Sequence, residues 1–124
     1  MEFNFRLFSP TAELLDRFGM KLAFENVFPD MNVPRYCSTP EELLTLVGKF
    51  PKETVGICLD TGHAKVADDK HYLENIRSYA DRVIATHMHD NYYGKDLHLF
   101  PFLGELDLAA CVNILKDAGY AGEL

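Results

Sequence analysis

Apolar and polar positions change their period several times along this chain. Met1 to Phe8 is apolar at alternate positions, which suits a strand, or a loop covered by a segment upstream. Ser9-Pro10 reads as a helix start, with serine as the cap and proline in the first turn. Ala12, Leu15 and Phe18 keep helical spacing, and Gly19 is the stop. Lys21-Leu22-Ala23-Phe24 follows as a strand that delivers Glu25 and Asn26 at its end. Val27 to Ser38, with Pro29 and Pro34, is a loop. Thr39-Pro40-Glu41-Glu42 has the capping-box pattern, the helix buries Leu43, Leu44 and Val47, and Gly48 closes it.

Thr54 to Leu59 is almost continuously apolar, as in a strand buried on both faces of a parallel sheet. It ends at Asp60-Thr61-Gly62-His63, where a tight glycine turn would aim both polar side chains at one point. A polar loop is expected from Lys65 to Lys70, then a helix through Leu73, Ile76 and Tyr79 or Ala80. Arg82-Val83-Ile84-Ala85 reads as a short buried strand, and Asn91 to Glu105 as a loop with Gly94, Pro101 and Gly104. Asp107 caps a last helix along Leu108, Cys111, Val112, Leu115 and Ala118, ended by Gly119. Tyr120 to Leu124 leads toward a further strand. Helix and strand thus alternate, the signature of a parallel sheet with right-handed crossovers. An open doubly wound sheet and a β/α barrel both fit.

Composition narrows this. The chain has 124 residues, 48% of them hydrophobic, enough for a single domain over residues 1–124 with its own core. The net charge of −7 argues against a surface that tracks nucleic-acid phosphates. Cys37, Cys58 and Cys111 are odd in number and form no C-x-x-C; with no signal peptide, they point to a reducing cytoplasm. No apolar run approaches the roughly 18 residues of a membrane span.

Three of the five histidines and two aspartates fall within Thr86-His87-Met88-His89-Asp90-Asn91 and Asp96-Leu97-His98. On an extended backbone His87 and His89 would project to one face. Alone, this stretch is equally a histidine-rich polar loop, Glu25 a loop carboxylate, and Asp60 with His63 an Asx-turn beside a solvated histidine. The coincidence carries more. Glu25, Asp60 and His87 stand at the C-terminal ends of three consecutive strands, the edge where parallel sheets gather ligands. Together they offer a divalent metal an O, O, N set with room for substrate or water. His63, Asp96 and His98 would hold a second metal or grip a polyol.

These motifs, with Leu22-Ala23-Phe24-Glu25-Asn26, Ile57-Cys58-Leu59-Asp60-Thr61-Gly62-His63, Gly104-Glu105-Leu106-Asp107 and Gly119-Tyr120-Ala121-Gly122, occur in one order from about Ser9 onward. In that ordered set the sequence resembles the xylose isomerase-like barrel superfamily of sugar isomerases, sugar epimerases and apurinic endonucleases. The resemblance implies an α/β fold, a partial TIM barrel made of about the second half of an eight-stranded one. It implies Glu25, Asp60 and His87 as metal ligands on the fifth, sixth and seventh barrel strands, with Glu25 also as catalytic base. His63 matches a substrate-binding histidine of the epimerases or, with Asp96 and His98, an extra zinc site of the endonucleases. His89 and Asn26 fall behind the ligands, as support. The family's fourth ligand is a glutamate a few residues past the glycine matched by Gly122; Leu124 does not reach it and Glu123 stands too early. The chain therefore reads as a fragment of a longer enzyme or a naturally shortened relative.

The activity implied is metal-dependent isomerisation or epimerisation of a sugar or sugar phosphate, by proton transfer next to a metal-polarised carbonyl. Mn²⁺, Zn²⁺, Co²⁺ and Mg²⁺ all tolerate such a donor set. The expected partners are a small sugar and, because half a barrel exposes sheet edges, a second copy or a complementing half-barrel. The alternatives are a zinc-dependent apurinic endonuclease or phosphoesterase, and a non-catalytic fragment.

Overall fold

A computed structural model describes residues 2–124. Three parallel strands form the main sheet, β1 (Leu22–Glu25), β2 (Val55–Asp60) and β3 (Val83–His87), with β2 in the centre. Leu22 to Glu25 pair with Val55 to Cys58, and Asp60 lies directly opposite His87. Every residue of β2 is buried, as its unbroken apolar run requires, whereas β3 is mostly half-buried. The helices are α1 (Glu2–Arg17), α2 (Pro40–Val47), α3 (Thr61–Ala67), α4 (Tyr72–Tyr79) and α5 (Leu108–Asp117), and a 3₁₀ turn over Ala80–Arg82 leads into β3. They bury Leu43, Leu46, Val47, Ile76, Cys111 and Leu115 against Val55, Ile57 and Leu59.

Two helix ends follow their caps. The Thr39 hydroxyl accepts from the Glu42 N–H at 3.3 Å, while the Glu42 carboxylate turns back to the N–H of Ser38 rather than of Thr39. Asp107 accepts from the Ala110 N–H at 2.9 Å. Leu46 and Ile114 take the buried places expected of Leu44 and Val112, both of which are half-buried.

The opening segment departs from the expected pattern. In place of a strand or loop and a helix beginning at Ser9-Pro10, one helix runs from Glu2 to Arg17 with Pro10 inside it. Pro10 has no N–H for the helical ladder. The neighbouring Ser9 hydroxyl folds back and donates to the Phe5 carbonyl at 2.7 Å. Packing offsets the proline: Phe5 lies against Phe50 and Phe8 edge-on against Phe24, at centroid distances of 5.1 and 4.9 Å. Gly19, at φ +67°, ends the helix as expected.

The segment expected as a polar loop from Lys65 is largely helical, because α3 runs to Ala67. The expected loop Asn91 to Glu105 contains a hairpin, β4 (Asp90–Tyr92) and β5 (Lys95–Leu99). Its turn residues Tyr93 and Gly94 both take positive φ, the primed geometry that matches strand twist. Tyr120 to Leu124 forms no strand, although the Thr86 hydroxyl donates to the Glu123 carbonyl at 3.0 Å. All three cysteines are free and buried.

Candidate metal centre

The donors at the three strand ends converge. Glu25, Asp60 and His87 each offer a ligand atom, and these atoms lie within 4.8 Å of one another. Asn26 holds two of the ends in register: its side-chain oxygen accepts from the Asp60 N–H at 2.7 Å, and its amide donates to the Asp60 carbonyl at 3.0 Å. One side chain thereby replaces a rung of the ladder between β1 and β2 beyond Glu25.

Asp60 is the buried member. Its carboxylate caps α3, accepting from the His63 N–H at 2.7 Å, so Asp60 to His63 is a strand end running into a helix and not a glycine turn. Glu25 Oε1 lies 3.4 Å from His87 Nδ1, which lies 3.8 Å from Asp60 Oδ2. An ion with ligands at about 2.1 Å spaces neighbouring donors roughly 3.0–3.4 Å apart. The set is therefore already near the size of a first coordination sphere. Below it, burial and then the charges of Glu25 and Asp60 push the Cys58 thiol up to about 11.

The second group, His63, Asp96 and His98, is equally compact. His63 Nε2 and His98 Nε2 approach Asp96 Oδ2 at 3.5 and 3.4 Å, while Asp96 Oδ1 is buried without a hydrogen-bond partner. His63 Nδ1 sits 2.9 Å from the Asn26 carbonyl, which only accepts, while Nε2 faces Asp96. Phe28 packs edge-on against that ring at 5.3 Å. It is an apolar wall that no periodicity in its proline-rich loop announced.

The hairpin that delivers Asp96 and His98 is tied down by Asp90 and Asn91. Asn91 Oδ1 accepts from the N–H groups of Leu97 and His98 at 2.7 and 3.3 Å, holding His98 at φ +49°. Asp90 Oδ1 accepts from Asn91 and Leu106 at 2.9 and 3.0 Å. Burial pushes that carboxyl up, but the backbone N–H groups of Leu106, Gly104, Asn91 and Phe102 outweigh it and hold it below the usual carboxylate range. A Cβ at Gly104 would run into Asp90 and the Asn91 carbonyl.

His87 and His89 do not share a face. β3 ends at His87, which keeps a side-chain exposure of 57%, whereas the His89 side chain turns inward to 10% and meets Asp60. His71, the fifth histidine, is exposed and pairs with Asp68 away from both groups.

Residues 5–124 match the family model of the xylose isomerase-like TIM barrel. The chain belongs to that family. Among solved structures it is similar to a D-tagatose 3-epimerase-like protein, with a TM-score of 0.78 and 30% identity over 96% of this chain and 44% of that one. An uncharacterized protein of Methanocaldococcus jannaschii is 31% identical over 96% of this chain and 40% of its own length. The mannonate dehydratase of Oceanobacillus iheyensis is 29% identical over 74% of this chain and 28% of its own. The chain thus spans less than half the length of each of these relatives. Its three parallel strands are a part of the family's barrel, which removes the open doubly wound sheet as an alternative. None of the described helices is long and apolar enough to cross a membrane.

Proposed function

We propose that this chain carries the metal-holding half of a sugar or sugar-phosphate isomerase or epimerase. The observation that carries the reading is the convergence of Glu25, Asp60 and His87 on one point at the C-terminal edge of the sheet. Similarity to a D-tagatose 3-epimerase-like protein supports a small sugar as substrate. Asp60, Glu25 and His87 would hold a divalent ion. Such an ion supplies Lewis-acid polarisation of a carbonyl and its neighbouring hydroxyl, which acidifies the C–H between them.

The chain's own groups do the rest. Glu25 is partly open to solvent, where a substrate enters, and its carboxylate takes the proton from that carbon. His63 is held by the Asn26 carbonyl with Nε2 turned toward Asp96, placed to hydrogen-bond a substrate hydroxyl. Phe28 shields that ring on one side. Return of the proton to the other face requires a second acid. In deuterated water with Mn²⁺ and a ketose, exchange at C1 or C3 is expected for this protein and is lost in Glu25→Gln. Exchange that persists in Glu25→Gln contradicts the assignment.

The His63, Asp96 and His98 group favours a second reading, hydrolysis of a phosphodiester by clustered zinc ions. The charge of −7 weighs against it, and tight salt-sensitive binding of abasic DNA would establish it.

A partner is part of the proposal. β1 and β3 each have one flank without a strand among the described residues, and Phe3, Leu7 and Leu14 are exposed along α1, with Phe18 exposed just past its end. The isolated chain is expected to sediment as assemblies larger than a monomer. A stable, monodisperse monomer contradicts this.

A further inference from the structure

The three residues that follow the centre of the sheet, Asp60, Thr61 and Gly62, each engage His89 in a different way. The Thr61 hydroxyl donates to the His89 carbonyl at 2.8 Å and accepts from the His89 N–H at 3.2 Å, which fixes its backbone from both sides. Gly62 leaves the space that the ring fills, since a Cβ there would collide with His89 Cε1. Asp60 receives the ring: His89 Nε2 stands 2.8 Å from Oδ1 and 3.0 Å from Oδ2. On its open side the ring stacks on His98, with centroids 4.1 Å apart and planes 11° from parallel.

We propose that His89 is the positioning residue of the metal centre, which aims the Asp60 carboxylate and is not itself a ligand. The inference rests on the metal reading above. A metal-bound carboxylate only accepts hydrogen bonds, so His89 Nε2 is the donor in this contact. Nδ1 has no hydrogen-bond partner among the described residues, so Asp60 is the ring's one hydrogen-bonding anchor. An imidazole fixed by its backbone, its stacking partner and its socket offers Asp60 one rigid N–H. That leaves the carboxylate a single orientation, with Oδ2 turned toward His87. Supporting partners of this kind set ligand orientation and basicity, and their loss typically weakens metal binding by about 10–100-fold. The stacking on His98 also joins the two groups mechanically, because His98 belongs to the second one.

The test compares His89→Leu, which keeps the bulk without the N–H, with His89→Gln, whose amide nitrogen reaches the place of Nε2. Co²⁺ is titrated by its visible absorption, and melting of the metal-free proteins is followed in parallel. His89→Leu is expected to lose about 10–100-fold in Co²⁺ affinity. His89→Gln recovers most of that loss, while the two metal-free variants melt together. Nitrogen NMR of the wild type shows the Nε2–H tautomer. Equal Co²⁺ affinity in His89→Leu and wild type overturns the inference, as does a Gln variant as weak as the Leu one. A wild type that takes up no Co²⁺ overturns the metal reading and the inference with it.

Discussion

Asp60→Asn is expected to leave the fold standing and to weaken divalent-metal binding by more than about 100-fold, beyond the usual cost of disturbing a supporting residue. Asparagine caps a helix about as well as aspartate. Its oxygen still accepts from the His63 N–H and from His89 Nε2, the contacts now made at 2.7 and 2.8 Å. What disappears is the negative charge on a wholly buried side chain that faces Glu25 across the centre. In the metal-free protein that charge is a cost, so the variant melts no lower than wild type. Metal affinity and stability therefore move apart. Calorimetric titration with Mn²⁺ or Co²⁺ beside thermal melting of the metal-free forms checks this. A variant that binds as tightly as wild type shows that Asp60 is a cap and nothing more.

Asp90→Ala is expected to act in the opposite sense, on the fold first. The substitution strands two N–H groups that the carboxylate now satisfies, those of Asn91 and Leu106, in a site without solvent. At about 1–3 kcal/mol for each unsatisfied group, the loss is about 2–6 kcal/mol, read as a lower urea midpoint. The same carboxyl gives a pH signature. Its folded pKa lies below its unfolded value, so its charge stabilises the fold above the ordinary aspartate range near 3.9. That contribution is lost as the pH falls through the lower folded pKa. Wild type should lose more stability than Asp90→Asn between about pH 5 and pH 2, because the amide accepts the same N–H groups without titrating. Parallel acid profiles contradict the assignment.

The convergence of Glu25, Asp60 and His87 was legible because a parallel sheet leaves little freedom. Once β1, β2 and β3 are strands, Glu25, Asp60 and His87 must meet at one edge, and the register does put Asp60 opposite His87. What escaped depends on packing or on rare backbone states. Pro10 marks a helix start in isolation, and packing that includes the Phe5 and Phe8 contacts carries the helix through it. The β4–β5 turn uses Tyr93 at φ +57°, where asparagine or aspartate would have signalled a hairpin. α3 was hidden because Gly62 resembles a turn; its missing Cβ serves the ring of His89 instead. The alternation of His87 and His89 pointed to a shared face only while the strand was assumed to continue, and it ends at His87.

The central claim is that Glu25, Asp60 and His87 hold one ion together. Elemental analysis after dialysis against excess Co²⁺ and then metal-free buffer tests it most directly, on the wild type beside Glu25→Gln, Asp60→Asn and His87→Ala. At least one ion per chain is expected in the wild type, with one ion fewer in each of the three variants. A wild type without bound metal, or an ion count unchanged in all three, contradicts it.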